Sequence, residues 1–244
     1  MLKEMIEHIQ NTAKPLIEKI GGATFAVFPG GEVKELVNLS YHPATLQLSS
    51  LDALVKLVRT EAMVLEGKAL YITVPDHLTV RCFTQPTPEE EFYRTTYYEA
   101  HATDVPGWGE KVQLPFEEMQ IALRTRFQET PDAIYAMKLL SDITTGGKIT
   151  YNDNGIATSV VTKKGIDLQA NESIRPIVTL KPYRTFQEVE QPESTFLIRV
   201  SERGITFIES DGGMWKLHAR ETVKAFLETA LEPEIADGCV FVAL

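Results

Sequence analysis

The stretch IRPIVTLKPYRTFQEVEQPESTFLIRVSERGITFIESDGGMWKLHARETVKAFLETALEPEIADGCVFVAL, residues 174–244, decides the fold class. Within it, residues 178–186, 195–200, 205–209 and 214–218 are dense in β-branched and aromatic side chains, the composition of strands. Pro192, Gly204 and Asp211-Gly212-Gly213 separate them, because Pro fixes φ and Gly accepts positive φ. The period then changes. Val223, Phe226, Leu227 and Ala230 fall at helical spacing over residues 219–231, so one apolar stripe faces a core. Pro233 ends that helix, and residues 239–244 close as a short apolar strand. The expectation is an α+β fold, an antiparallel meander sheet covered by helices.

Working back from that block, Asn152-Asp153-Asn154-Gly155 lies between strand-like residues 148–151 and 156–163, a strong hairpin signal. Thr130-Pro131 starts a helix with a cap residue and Pro in the first turn; Ile134, Met137, Leu140 and Ile143 form its stripe, and Gly146-Gly147 stops it. Pro115 opens another helix, with Phe116, Met119, Leu123 and Phe127 as its buried face. Residues 78–101 read as a long projecting β-hairpin, with Glu89-Glu90-Glu91 keeping its tip solvated and its edge unpaired. Residues 69–74 form a strand. Ser49 and Ser50 cap a helix carrying Leu51, Leu54, Val55 and Val58. Residues 23–28 form a strand turned by Pro29-Gly30-Gly31.

Residues 1–20 carry Leu2, Met5, Ile6, Ile9, Ala13, Leu16, Ile17 and Ile20 at spacings of three and four, which predicts an N-terminal amphipathic helix. Pro15 argues against one straight rod. Such a helix either docks on its own domain or reaches a neighbouring subunit. The expected division is residues 1–146, with the helix, hairpin and helix pair, and residues 147–244, with the meander; one interdigitated domain is the alternative.

The composition narrows the function. The 244 residues are 43% hydrophobic and 24% charged, ordinary for a globular chain. The net charge is −10 and the pI about 5.1, which opposes phosphate-backbone binding. Phe92, Tyr93, Tyr97 and Tyr98 with Arg94 could make a stacking platform for single strands, but the surrounding acids favour cross-strand packing. Cys82 and Cys239 sit in apolar runs and suit small core residues in a reducing compartment. There is no apolar run of membrane-spanning length, and Glu4, Glu7 and His8 interrupt any signal-peptide core, so a cytoplasmic location is expected.

Chemical motifs are absent. The histidines (His8, His42, His77, His101 and His218) match no zinc spacing, and His101 with Asp104 reads as a loop histidine beside a solvated acid. Thr144-Thr145-Gly146-Gly147-Lys148 fails as a phosphate loop, because Asp142 and Ile149 stand where Gly and Ser or Thr are required. No Gly-x-Ser-x-Gly occurs. Catalytic residues, metal and cofactor are all expected to be none.

Arg175-Pro176, Leu180 to Phe186 and Phe196-Leu197-Ile198-Arg199-Val200 resemble the C-terminal half of uncharacterised phage and prophage proteins of the YfdQ type. The resemblance covers about residues 115–232 and implies a phage-encoded accessory protein in the host cytoplasm. The order of hairpin, helix and β-layer also resembles that of phage shell proteins. The leading expectation is therefore a non-enzymatic phage protein that self-assembles into a homo-oligomer, ring or shell-like. Leu2, Ile6, Ile9, Leu16, Phe92, Tyr93, Tyr97, Val240 and Phe241 are its candidate interface residues. The alternatives are a counter-defence protein that binds a host factor or small signalling molecule, and a cryptic hydrolase.

Overall fold

A computed structural model describes residues 2–3, 15–20, 23–36, 44–64, 68–84, 94–145, 148–153, 158–164, 167–168, 172–173, 175–201 and 203–244. The chain divides into two compact units, Met1–Pro43 with Thr87–Phe92, and Ala44–Pro86 with Tyr93–Leu244. The described fold is mixed α+β, as the residue pattern indicates.

In the first unit, β1 (Leu16–Ile20), β2 (Ala23–Val27) and β3 (Val33–Leu36) form an antiparallel sheet. The expected helix over residues 1–20 is corrected here: residues 16–20 are a strand. Pro15 has no amide to donate to a helical ladder, while Leu16 to Ile20 pair residue by residue with Val27 to Ala23. Ile6 and Ile9 lie outside the described residues. The Pro29-Gly30-Gly31 turn is present, closed by hydrogen bonds from Gly31 N to Phe28 O (2.9 Å) and Phe28 N to Glu32 O (2.8 Å).

The second unit contains β4 (Leu46–Leu48), α1 (Leu51–Val64), β5 (Leu70–Asp76), β6 (Thr79–Thr84), β7 (Thr96–His101), β8 (Lys111–Leu114), α2 (Phe116–Arg126), β9 (Phe127–Gln128) and α3 (Pro131–Thr145). It continues with β10 (Lys148–Asp153), β11 (Thr158–Lys164), β12 (Asp167–Leu168), β13 (Glu172–Ser173), β14 (Ile177–Pro182), β15 (Ser194–Ser201), β16 (Gly204–Glu209), α4 (Trp215–Ala230), α5 (Glu232–Ala236) and β17 (Val240–Ala243). The caps read from the sequence are in place: Ser50 Oγ accepts from Ala53 N–H at 3.1 Å, and Thr130 Oγ1 from Ala133 N–H at 3.1 Å.

One sheet runs β17-β5-β6-β7-β4. β5, β6 and β7 are antiparallel, and β17 and β4 add parallel edges. The β6–β7 hairpin matches the one read over residues 78–101; its tip, including Phe92 and Tyr93, lies outside the described residues. Leu51, Leu54, Val55 and Val58 of α1 and Val223 and Leu227 of α4 pack on Leu70, Ile72, Val80 and Cys82. The other five-stranded sheet, β8-β16-β15-β14-β9, is antiparallel and holds the expected meander. Phe196, Ile198 and Phe207 face Met119 and Leu123 of α2 and Ala136, Leu140 and Ile143 of α3.

Two expectations change. Residues 214–218 are not a strand but the N-cap position, Met214, and the first turn of α4: Trp215, Ala219, Val223 and Leu227 are all buried at four-residue spacing. α4 also covers the β5 sheet, because the meander face is already filled by α2 and α3 and because α4 leads into β17, parallel to β5. β10 and β11 form the predicted hairpin, with Lys148 opposite Lys163. The expected boundary at Gly146-Gly147 lies outside the described residues. Among the described residues, no helix is long and apolar enough to cross a membrane.

Candidate functional site

The turn between β5 and β6, the loop after β7, the loop after β14, the end of β16 and the start of α4 meet within the second unit. They enclose an open cleft of about 570 Å³ lined by His77, Leu78, His101, Val105, Trp108, Arg184, Glu209, Trp215 and Lys216, among others. Its size falls in the range of small-molecule sites.

Local chemistry fixes each wall. Asp76 Oδ1 accepts from Leu78 N–H at 2.7 Å, an Asx turn that presents His77. Gly212 and Gly213 both adopt left-handed φ, so the chain reverses between β16 and α4. Asp211 ties that reversal, accepting from Gly213 N–H at 3.0 Å and from Ser194 O–H at 2.6 Å. Gln191 is buried and shapes the loop that carries Arg184. Its Oε1 accepts from Arg184 N–H at 2.8 Å and Thr185 N–H at 3.2 Å, and its Nε2 donates to Phe186 O at 2.9 Å. Thr185 Oγ1 donates to His77 O at 2.6 Å, joining this loop to the β5–β6 turn.

Arg184 is the centre of the site. It is 2% exposed and its side chain pairs with Glu209, itself 7% exposed, through Nη1 at 2.5 Å; Nη1 also donates to Ser194 Oγ at 3.1 Å. Its guanidinium lies 4.2 Å from the Trp215 ring and 5.5 Å from the Phe196 ring. Burial pulls its pKa below the ordinary value, and Glu209 and Asp211 oppose that. His77 meets Trp215 edge-on at 4.8 Å. Burial holds its imidazole below the ordinary value, opposed by Asp76 and reinforced by Lys216 and Arg184. His101 is tied to Thr79 Oγ1 at 3.1 Å.

Five buried side-chain polar atoms have no partner among the described residues, and four belong to this cleft: Arg184 Nε and Nη2, Trp108 Nε1 and Trp215 Nε1. All four are N–H donors. An unmatched buried donor costs about 1–3 kcal/mol, and these four sit on three residues that line the same cleft. Lys216, exposed at the rim, adds positive charge. Among the described residues no group of three or more His, Cys, Asp or Glu side chains is placed to hold a metal.

The residues singled out for an interface fall elsewhere. Leu2 and Leu16 are exposed in the first unit. Tyr97 is half-buried against the β5-sheet core and Val240 is fully buried in it. Phe241 is half-exposed and stacks on Tyr71 at 5.4 Å. Sequence reasoning missed Arg184, Trp108 and Trp215; the one available signal was that the chain's two tryptophans flank Gly- and Asp-rich turns. Comparison of the chain with protein-family models, curated proteins and solved structures finds no match.

Proposed function

We propose that this protein binds, without turning it over, a small acceptor-rich anion carrying a planar ring, in the cleft around Arg184. The observation that carries this reading is the set of four unmatched N–H donors on one wall system. A carboxylate or phosphate supplies the acceptors that the buried Nε and Nη2 of Arg184 lack once Nη1 is taken by Glu209, and guanidinium donors suit planar oxyanions. His77, Trp108 and Trp215 supply aromatic surface for a ring. Together with the likeness of residues 175–200 to phage proteins of the YfdQ type, the site suits a phage-encoded protein that captures a small signalling molecule of its host.

Calorimetric titration of the full chain with AMP and with benzoate tests the reading, using adenosine and benzyl alcohol as uncharged counterparts. Saturable heats for either anion, at least tenfold tighter than its counterpart, are expected; a tenfold gain is about 1.4 kcal/mol. Equal affinities within both pairs, or no heat from either anion, sink it.

Self-assembly into a homo-oligomer is the second reading. It is favoured by the apolar residues exposed on the β1–β2–β3 sheet, Leu16, Ile17, Val33 and Leu36.

A further inference from the structure

The register of the first unit sorts its side chains onto two faces. Leu16, Val27 and Val33 stand in one cross-strand row, and Glu18, Phe25 and Glu35 in the next row on the same face. The opposite face carries Ile17, Ala26 and Lys34, then Lys19, Thr24 and Leu36. One face is therefore acidic and the other carries two lysines, of which Lys34 also pairs with Glu32 at 3.3 Å, with the charges on the two outer strands and neutral residues along β2. Both keep apolar side chains open at their edges: Leu16 and Val33 are 59% and 57% exposed on the acidic face, Ile17 and Leu36 54% and 42% on the basic one, whereas Ala26 at the middle of the basic face is buried. Three strands of four or five residues, with apolar side chains open on both sides, call for a partner on each side.

We infer that the β1–β2–β3 sheet stacks face to face on the same sheet of a second copy of this chain, acidic face on basic face. This rests on the self-assembly reading and names its surface. Charge complementarity selects the pairing. Like faces would set Glu18 and Glu35 against their own copies, or Lys19 and Lys34 against theirs; unlike faces set glutamates against lysines. The result is an apolar centre inside a charged rim, the usual anatomy of an association surface. Because two different faces meet, the contact is head-to-tail, and its repetition closes into a ring or continues as a filament.

Light scattering of the full chain at rising concentration tests this, on wild type, E18K/E35K, K19E/K34E and the fourfold variant that combines them. Wild type is expected to assemble. Each double variant has two faces of one sign and should need at least tenfold more protein to assemble, a loss of about 1.4 kcal/mol. The fourfold variant exchanges the faces and should assemble like wild type, and an equimolar mixture of the two doubles should co-assemble. Circular dichroism checks folding, and E35Q with K34Q provides a milder pair should a reversal unfold the sheet. A monomeric wild type overturns stacking and self-assembly together. A wild-type oligomer that the double variants leave unchanged, or that the fourfold variant does not rebuild, overturns stacking alone and leaves assembly to another surface.

Discussion

Replacing Arg184 by Met separates the two energetic roles of the site. The guanidinium is 2% exposed and its partner Glu209 7% exposed, so the substitution leaves a carboxylate buried with Ser194 beside it. Breaking a buried ion pair from one side costs about 3–5 kcal/mol. The same change deletes two unmatched donors, Nε and Nη2, and each such donor burdens the native state by about 1–3 kcal/mol. Taking about 4 for the first effect and about 1 for each donor leaves a net loss of about 2 kcal/mol. Adding Glu209→Gln removes the stranded charge, so the double variant should return to within about 1 kcal/mol of wild type. Urea unfolding followed by tryptophan emission reads all four corners of the cycle. In a chain of this length about 2 kcal/mol is also a fall of about 4–8 °C in Tm. Equal stability of R184M and wild type, or losses that simply add in the double variant, would refute the buried-pair reasoning.

Three further outcomes are expected. Gly204 has φ +127°, and a Cβ there would lie 2.1 Å from the Leu114 carbonyl oxygen, so Gly204→Ala should lose about 3 kcal/mol by urea midpoint as β16 and β8 are forced apart. Burial pushes the Cys82 thiol up to about 12, so Ellman's reagent should label Cys239 in the native protein and Cys82 only after denaturation. His77 has its pKa depressed by burial, so the unfolded chain takes up this proton first; stability should be complete above pH ~6.5 and fall as pH drops below it, and His77→Gln should flatten that slope in acid-titrated melts.

What was legible in the sequence was local chemistry. Thr130-Pro131 announced α3 because a hydroxyl cap and an N-terminal Pro act within one turn, and the Asn-Gly turn with its flanking residues announced the β10–β11 hairpin. The heptad-like spacing before Pro15 misled at its end, because Leu16 to Ile20 pair with β2 as a strand. Residues 214–218 misled because the helix starts without a side-chain cap: Met214 holds the N-cap position and makes no capping hydrogen bond, leaving aromatic and apolar residues that resemble a strand. The destination of α4 depended on which sheet face was already filled, a non-local fact. The cleft was the least legible of all. His77, Trp108, Arg184 and Trp215 are far apart in sequence and share no spacing, and a buried arginine looks like any other arginine until its partner Glu209 is placed beside it.

Trp108 and Trp215 are the only tryptophans in the chain and both line the cleft, so their emission reports directly on its occupancy. The most direct measurement is an emission titration of wild type and Arg184→Lys with AMP and with benzoate; lysine keeps the charge but loses the planar donor edge. The account predicts a saturable emission change for at least one of the two anions, with an affinity at least tenfold weaker, about 1.4 kcal/mol, in Arg184→Lys. Emission that stays flat with both anions, or saturates equally in the two proteins, would contradict it.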